Sequence, residues 1–527
     1  MKKYYILASI LFFVLSANAQ TTTLFISQES AFYYEKFIQS DSNYLETEVR
    51  PILHAFLNEQ KIDSLLAISS NNKTISYLLN QNLFQKKNKD LSFELNPIIS
   101  TLYTQTFSNA QSAYLLEGGL SLVASYKNKL AFQSNFSLNQ QSFLDFNARE
   151  LVENGIVPHY GKALKTSGNT LSYAQFDVRI SYSPSKYFNL QTGYGKNFIG
   201  SGYRSLFLSD NANSYPFFKA SAHFWKIDYH FLQAALKHVD GFENNFDLNP
   251  KWAVIHSINL NLTRRIHFGF FETVISNPKD SIANRGFEVN YLNPLIFFRP
   301  MEYNLGSPDN VLLGLSAKLL VFKNLHLYSQ FILDEFDFKQ LKKRNGFWAN
   351  KIGVQAGFKA FDAFKIPNLF LQGEINTVRP YTYSHSYTTT NYGHYYQALA
   401  HVYGANFYEA LAVVRYDFKK RWSLNLKSNV AIVGLDSNAE FSVGQDIFRS
   451  YSLHENTFGN DIAQGEKNQL FSNELSICFL VNPKWNMQGV FQVSSLIIKN
   501  TSNYSYNFIN LGIRSNVFPK MSNSRFL

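Results

Sequence analysis

The feature that most constrains this chain is a hydropathy period of two. In 171–182, Ala174, Phe176, Val178, Ile180 and Tyr182 fall on one face of an extended backbone, and Gln175, Asp177, Arg179 and Ser181 on the other. In 422–432, Trp422, Leu424, Leu426, Val430 and Ile432 alternate with Ser423, Asn425, Lys427 and Asn429. In 471–481, Phe471, Leu475, Ile477, Phe479 and Val481 alternate with Ser472, Glu474, Ser476 and Cys478. Successive side chains of a strand point to opposite faces, so each segment reads as a strand with one apolar and one polar face. A soluble sandwich alternates in the same way, so the pattern alone does not place the sheet in a membrane.

The connections narrow the choice. From residue 91 onward eighteen strands can be read, near 91–106, 114–126, 130–140, 170–183, 188–197, 216–225, 227–237, 251–262 and 266–276, then 310–322, 325–336, 349–361, 368–379, 406–418, 421–434, 468–481, 485–498 and 503–518. Short links, such as Lys127-Asn128-Lys129, Lys323-Asn324 and Asn482-Pro483-Lys484, alternate with long ones near 141–169, 198–215, 238–250, 277–309, 337–348, 380–405 and 435–467. Outer-membrane barrels have short periplasmic turns and longer extracellular loops. The expected fold is an all-β transmembrane barrel of about 18 antiparallel strands, with both ends of the barrel in the periplasm.

Composition agrees. Charged residues are 17%, against roughly 25% in soluble domains. Aromatics reach 16%, with 32 Tyr and 49 Phe, while mean hydropathy is only −0.19. A helical membrane protein would be more apolar, a disordered chain poorer in aromatics, and an ordinary cytosolic enzyme more charged. After the N-terminus no run of 18 apolar residues occurs, so any spanning structure must be a closed barrel.

The N-terminus reads as an export address, 1–19. Lys2 and Lys3 precede an apolar stretch from Ile6 to Leu15, and Ala17-Asn18-Ala19 places the cut before Gln20. Ten residues are too few to cross about 30 Å of hydrocarbon as a helix. Without Lys2 and Lys3 the formal charge of +11 becomes +9. No Cys sits just after the cut, and the one Cys, Cys478, cannot form an intramolecular disulfide. Residues 20–90 read as a small helical segment. Leu45, Val49, Ile52, Leu53, Phe56 and Leu57 recur at helical spacing around Pro51, as do Ile75, Leu78, Leu79 and Leu83. This segment is either a periplasmic cap or a plug for the barrel mouth. The barrel itself spans 91–518, and a tail, 519–527, follows. In the last strand Ile509, Leu511, Ile513 and Val517 face outward and Asn510, Gly512, Arg514 and Asn516 inward, ending near Phe518.

The loop after the fifth strand reads Gly193-Tyr194-Gly195-Lys196-Asn197-Phe198-Ile199-Gly200-Ser201-Gly202-Tyr203-Arg204-Ser205-Leu206-Phe207-Leu208-Ser209-Asp210-Asn211-Ala212. It resembles the signature of the Wzi-like capsule assembly family, and more closely its Bacteroidetes branch labelled gliding motility protein RemB. Arg285 to Pro294, Leu333-Asp334-Glu335-Phe336, Val378 to His385 and Asn391-Tyr392-Gly393-His394 resemble that branch in the same order, so the likeness covers about 90–440. The resemblance implies an outer-membrane barrel with an N-terminal helical bundle. It further implies a non-catalytic role: binding and retaining surface (capsular) polysaccharide and assisting capsule assembly, with gliding motility or adhesion added by the branch label. Its motif residues here are Gly195, Asn197, Gly200, Gly202, Tyr203, Arg204, Ser205, Ser209 and Asp210.

The same loop has a reading of its own. Gly200-Ser201-Gly202 permits positive φ and close backbone packing. Arg204 and Asp210 have opposite charges and pair if the loop folds on itself, or Arg204 meets an anionic sugar. Gly195-x4-Gly200 lacks the Lys-Ser/Thr and the βαβ context of a phosphate loop. In 379–403, Arg379, Tyr381, Tyr383, His385, Tyr395 and Tyr396 are candidates for polysaccharide contact, because aromatic faces with polar tips suit sugar rings. An interfacial aromatic girdle accounts for such tyrosines equally well. The histidines match no zinc spacing, so no metal and no cofactor is expected. Lys339, Lys342, Lys343 and Arg344 form a basic loop, either simply solvated or attracting acidic polysaccharide or lipopolysaccharide.

No H-E-x-x-H or G-x-S-x-G occurs, and the carboxylates are scattered, so an enzyme is not expected. The expected partners are surface polysaccharide, outer-membrane lipid and lipopolysaccharide, and the outer-membrane assembly machinery, with no nucleic acid. The competing reading is a porin-like channel for small solutes.

Overall fold

The computed structural model describes Thr23 and residues 48–52, 66–107, 111–127, 129–144, 155–240, 247–278, 309–501 and 503–518. The signal segment, the Arg285–Pro294 stretch and the 519–527 tail lie outside the described residues.

Eighteen strands form a closed antiparallel barrel. They are β1 Leu91–Thr106, β2 Ser112–Tyr126, β3 Leu130–Ser142, β4 Thr170–Ser185, β5 Phe188–Gly195 and β6 Tyr215–Phe224. Next come β7 Ile227–Asp240, β8 Asp247–Asn261, β9 Ile266–Ser276, β10 Asn310–Phe322, β11 Leu325–Leu333 and β12 Ile352–Ala360. The last six are β13 Leu369–Val378, β14 Phe407–Lys419, β15 Trp422–Leu435, β16 Glu466–Asn482, β17 Met487–Lys499 and β18 Asn503–Ser515. Each strand pairs with its neighbour in sequence, and β18 closes on β1 from Phe508 opposite Thr106 to Ile513 opposite Thr101. Below that seam β1 pairs instead with a short strand, Phe84–Lys87. Closure matters because an unpaired edge has no water to bond in a bilayer.

The period of two has the expected consequence. Phe176, Ile180, Leu475, Ile477, Leu511 and Ile513 are exposed on the outside, while Gln175, Arg179, Ser181, Ser472 and Asn429 are buried in the lumen. The wall is apolar outside and polar inside, the arrangement a lipid-embedded barrel requires. Trp225 and Phe364, the most exposed rings among the described residues, stand at the short-link end. At the long-loop end the links beside the seam, between β1 and β2 and between β17 and β18, are short in sequence.

The N-terminal segment differs in part from the sequence expectation. Val49 and Arg50, read as helical, form a two-residue strand paired inside the barrel with Phe198 and Ile199. Thr23 also lies against the inner wall, its hydroxyl donating to Gln133 Oε1 at 2.7 Å. Ile75, Leu78 and Leu79 do fall on a helix, α1 (Lys73–Asn80), whose N-cap Asn72 accepts from Thr74 N and Ile75 N. α1 sits at the short-link end, where Arg421 Nη1 donates to Leu79 O at 2.8 Å and Asn482 Nδ2 to Leu78 O at 2.8 Å. Leu45, Leu53, Phe56 and Leu57 lie outside the described residues.

Candidate functional site

The loop after β5 folds inward across the lumen. Glycines let it lie against the wall: a Cβ on Gly202 would press on the Glu374 carboxylate and on Gln355. Glu374, on β13, accepts from Tyr203 N at 2.7 Å, Arg204 N at 3.1 Å and Tyr328 Oη at 2.8 Å. The Arg204 guanidinium reaches Glu409 on β14 at 3.2 Å. The ion pair of this arginine is therefore with the barrel wall, where the sequence suggested Asp210. Leu206 N donates to Gln330 Oε1 at 2.9 Å, and the buried Leu206, Phe207 and Leu208 pack on Phe271, Leu312, Ile332 and Val378. Phe207 stacks on Phe271 at 4.7 Å. Gly314 faces this ring and leaves room for it.

The N-terminal strand ties on from the other side. Gly200 N donates to Glu48 O at 2.8 Å, Ser201 Oγ to Glu48 Oε1 at 2.8 Å, and Arg50 lies 3.7 Å over the Phe198 ring. The remaining motif residues are structural in setting. Asn197, Ser205, Ser209 and Gly195 are buried, and Asp210 accepts from Lys196 Nζ through its backbone carbonyl at 3.1 Å.

A second loop locks onto the first, and a third onto the second. Tyr383 Oη donates to Leu206 O at 2.8 Å, Ser209 N to Leu399 O at 2.7 Å and Asn211 Nδ2 to Ala398 O at 2.8 Å. His401 Nε2 bonds the second oxygen of Glu409 at 2.7 Å. Arg379 Nε donates to Asn350 O at 2.7 Å, and its Nη2 reaches Asn460 O at 3.3 Å. Tyr381 Oη donates to Ser442 O at 2.7 Å, and Tyr381 N to Gly444 O at 2.8 Å. Loops 196–214, 379–406 and 436–465 thus form one knot over the lumen.

Within that knot the candidate residues separate. Tyr381, Tyr383 and His385 are buried, and Arg379 spends its guanidinium on backbone carbonyls. Burial, with the Lys351 ammonium adding to it, pushes the His385 pKa down to about 4. Tyr395 and Tyr396 are half-buried; Tyr396 Oη donates to Asp446 Oδ2 at 3.0 Å and its ring stacks on Phe448 at 4.3 Å. Tyr381, Tyr383, Tyr395 and Tyr396 all have φ between +50° and +73°, a region non-glycine residues enter only when their surroundings hold them there.

Sequence reasoning missed Glu374 and Glu409, which anchor the inward loop, and the loop aromatics Trp348 and Tyr451. Trp348 follows the basic 339–344 run by four residues, a signal that was in view. Beside the inward loop lies a cavity of about 350 Å³, lined by Tyr160, Tyr173, Glu117, Lys427, Glu474 and Arg204 among others. Lys427 and Glu474 pair at 2.9 Å. Among the described residues no three His, Cys, Asp or Glu side chains gather where they could hold a metal.

No protein-family model matches the chain, and no curated protein matches it. Among solved structures it is similar to Wzi of Escherichia coli, an outer-membrane protein involved in group 1 capsule assembly and a carbohydrate-binding β-barrel. That likeness has a TM-score of 0.53 at 10% identity and covers 94% of this chain and 99% of Wzi, which establishes a shared fold. The chain is also similar to OccAB2 of Acinetobacter baumannii (TM-score 0.43, 10% identity, 80% of this chain and 97% of that one). OpdL of Pseudomonas aeruginosa gives a TM-score of 0.42 at 10% identity, over 81% and 98% of the two chains.

Proposed function

We propose that this chain is a non-catalytic outer-membrane barrel that binds and retains surface polysaccharide and assists capsule assembly, in the manner of a Wzi-like protein. One observation carries the reading: three of the long loops are locked together over the lumen by buried hydrogen bonds and present a fixed surface at the long-loop end. A preformed surface loses little conformational entropy on capturing a chain. The apolar outer wall supports residence in a membrane. The long-loop end then faces outward, the short-link end and α1 face the periplasm, and export proceeds through the 1–19 signal. Lipopolysaccharide and the outer-membrane assembly machinery are the further partners, and gliding motility or adhesion is the wider role that polysaccharide retention would serve.

The test is cell-associated against released surface polysaccharide in a deletion strain and its complemented parent. The reading requires polysaccharide to move into the medium on deletion and to return to the cells on complementation; an unchanged distribution would sink it.

The cavity of about 350 Å³ beside the inward loop favours a second reading, a channel for small polar solutes. That reading requires a steady conductance when the purified barrel is inserted into planar bilayers, and a silent bilayer would rule it out.

A further inference from the structure

The tyrosines most conspicuous in the sequence are used up in holding the loops together. A different set of rings is left at the outer surface, and these rings form a continuous path. Phe458 lies 5.7 Å from Phe347, Phe347 6.1 Å from Trp348, and Trp348 4.9 Å from Tyr451. Tyr451 lies 5.6 Å from His385, and His385 6.1 Å from Tyr387. His454 stacks on Trp348 at 4.5 Å and widens the middle of the path. Both ends are open: Phe458 is 50% and Tyr387 54% exposed, Phe347, Trp348, Tyr451 and His454 between them are half-buried, and the buried His385 underlies the step from Tyr451 to Tyr387.

Three loops supply these rings, and hydrogen bonds to backbone carbonyls hold them in register. Trp348 N donates to Thr457 O at 3.1 Å, Gly459 N to Asn345 O at 2.8 Å, and Ser450 Oγ to Ser386 O at 2.8 Å. The row of rings is thus set before any ligand arrives.

Charge lies beside it. The loop that carries Phe347 and Trp348 begins with a one-turn helix, α2 (Phe338–Lys343), and Lys339, Lys342, Lys343 and the left-handed cap Arg344 are all exposed. The nearby acids are partly spent: Asp337 caps α2, and Glu335 pairs with Lys351 at 3.4 Å. The Lys351 ammonium also lies 4.0 Å over the Tyr451 ring, its charge matched by Glu335 and by Asp334 at 3.9 Å. Glu440, Glu455 and Asp461 are exposed acids in the same loops, farther along the chain from α2.

We infer that the row Phe458–Phe347–Trp348–Tyr451–Tyr387, flanked by the basic α2, is a binding track for an extended anionic polysaccharide. Sugar rings lie on the aromatic faces, and their carboxylates are drawn to the lysines and Arg344. This rests on the polysaccharide-binding reading above and adds to it the place of contact and the charge class of the polymer.

The experiment uses the full mature chain in detergent, with alginate oligomers as the polyuronate probe and dextran as a neutral control, read by calorimetric titration. Wild type is expected to bind alginate and to bind dextran more weakly. The double variant Trp348→Ala/Tyr451→Ala should lose about tenfold or more in alginate affinity. Changing Lys339, Lys342, Lys343 and Arg344 to Gln should weaken binding at low salt and flatten its dependence on ionic strength. These four side chains are exposed, so this variant keeps the fold even if the aromatic pair does not. Tyr504→Ala, on the rim at β18, should bind like wild type. Unchanged alginate affinity in both the aromatic and the basic variants would overturn the track, as would wild type binding neither polymer. The broader reading fails separately, by unchanged polysaccharide release in deletion cells.

Discussion

Arg204 and Glu409 meet at 3.2 Å inside the barrel although 205 residues separate them, and His401 holds the other oxygen of the same carboxylate at 2.7 Å. One wall residue thereby fastens two of the long loops. Breaking a buried pair by removing one partner leaves the other charge unmatched, at a cost of about 3–5 kcal/mol. Glu409→Gln is expected to destabilise the barrel by about 3 kcal/mol in thermal unfolding and to open the 196–214 loop to protease. A loop that stays protected in this variant would mean that the pair does not fasten it.

Room for Phe207 depends on Gly314, since a Cβ there would run into the ring. Gly314→Val should cost about 1–3 kcal/mol, the usual penalty of overpacking. Gly118 on β2 has nothing within 4 Å of a Cβ and serves as the matched control. Gly118→Val should leave the melting temperature within a degree or two, since surface changes are usually worth about 0.5 kcal/mol or less. Equal effects at both sites would contradict the packing described for the inward loop.

Acid should loosen the loop knot. Burial pushes the His385 pKa down to about 4 and that of His394 down to about 3. An unfolded histidine titrates near 6.5, so below that pH the unfolded chain takes up protons that the folded one refuses, and stability falls with pH. The contribution is complete above about pH 6.5 and is lost progressively toward pH 4 for His385 and pH 3 for His394. At pH 5 each should cost about 2 kcal/mol. Unfolding midpoints between pH 7.5 and pH 5 (about the range in which histidine changes charge) should fall in wild type. The slope should flatten in His385→Gln/His394→Gln.

Lipid contact can be tested on the outer wall. Leu475 is exposed midway along β16, beside the lumen-facing Glu474. Arginine on a lipid face near the bilayer midplane costs about 2–4 kcal/mol. Leu475→Arg should therefore lower stability by that amount in bilayers. The same substitution should cost much less in detergent micelles, and an equal loss in the two media would argue against a lipid-facing wall.

The wall was legible because its rule is local. Phe176 and Gln175 differ in solvent and are adjacent in sequence, so inspection of 171–182 separates them. The interior was not legible for the opposite reason. Val49 sits at a spacing that suits a helix, but its partner is Ile199, and two residues of strand leave no period to detect. Arg204 showed its charge and Asp210 lay close by in sequence; nothing local pointed to Glu409 on a strand that closes beside it only when the barrel forms. Tyr381 and Tyr383 looked like ligand contacts because aromatic content signals both binding and burial. Only the carbonyls of Ser442 and Leu206 decide which.

The short strand Val49–Arg50 belongs to the part of the chain that precedes the wall, yet it ends up inside that wall, while α1, later in the same N-terminal part, clasps the short links at Arg421 and Asn482. The wall becomes a ring only when β18 finds β1. The earliest described pieces of the polypeptide are therefore enclosed by the last, and the order of events during insertion matters. Once the ring is shut, the strand has no sideways exit: it can leave only along the barrel axis, past the loops on one side or the α1 clasp on the other, or by unzipping the β1–β18 seam. Leaving the lumen therefore means passing one of those two ends or reopening the seam.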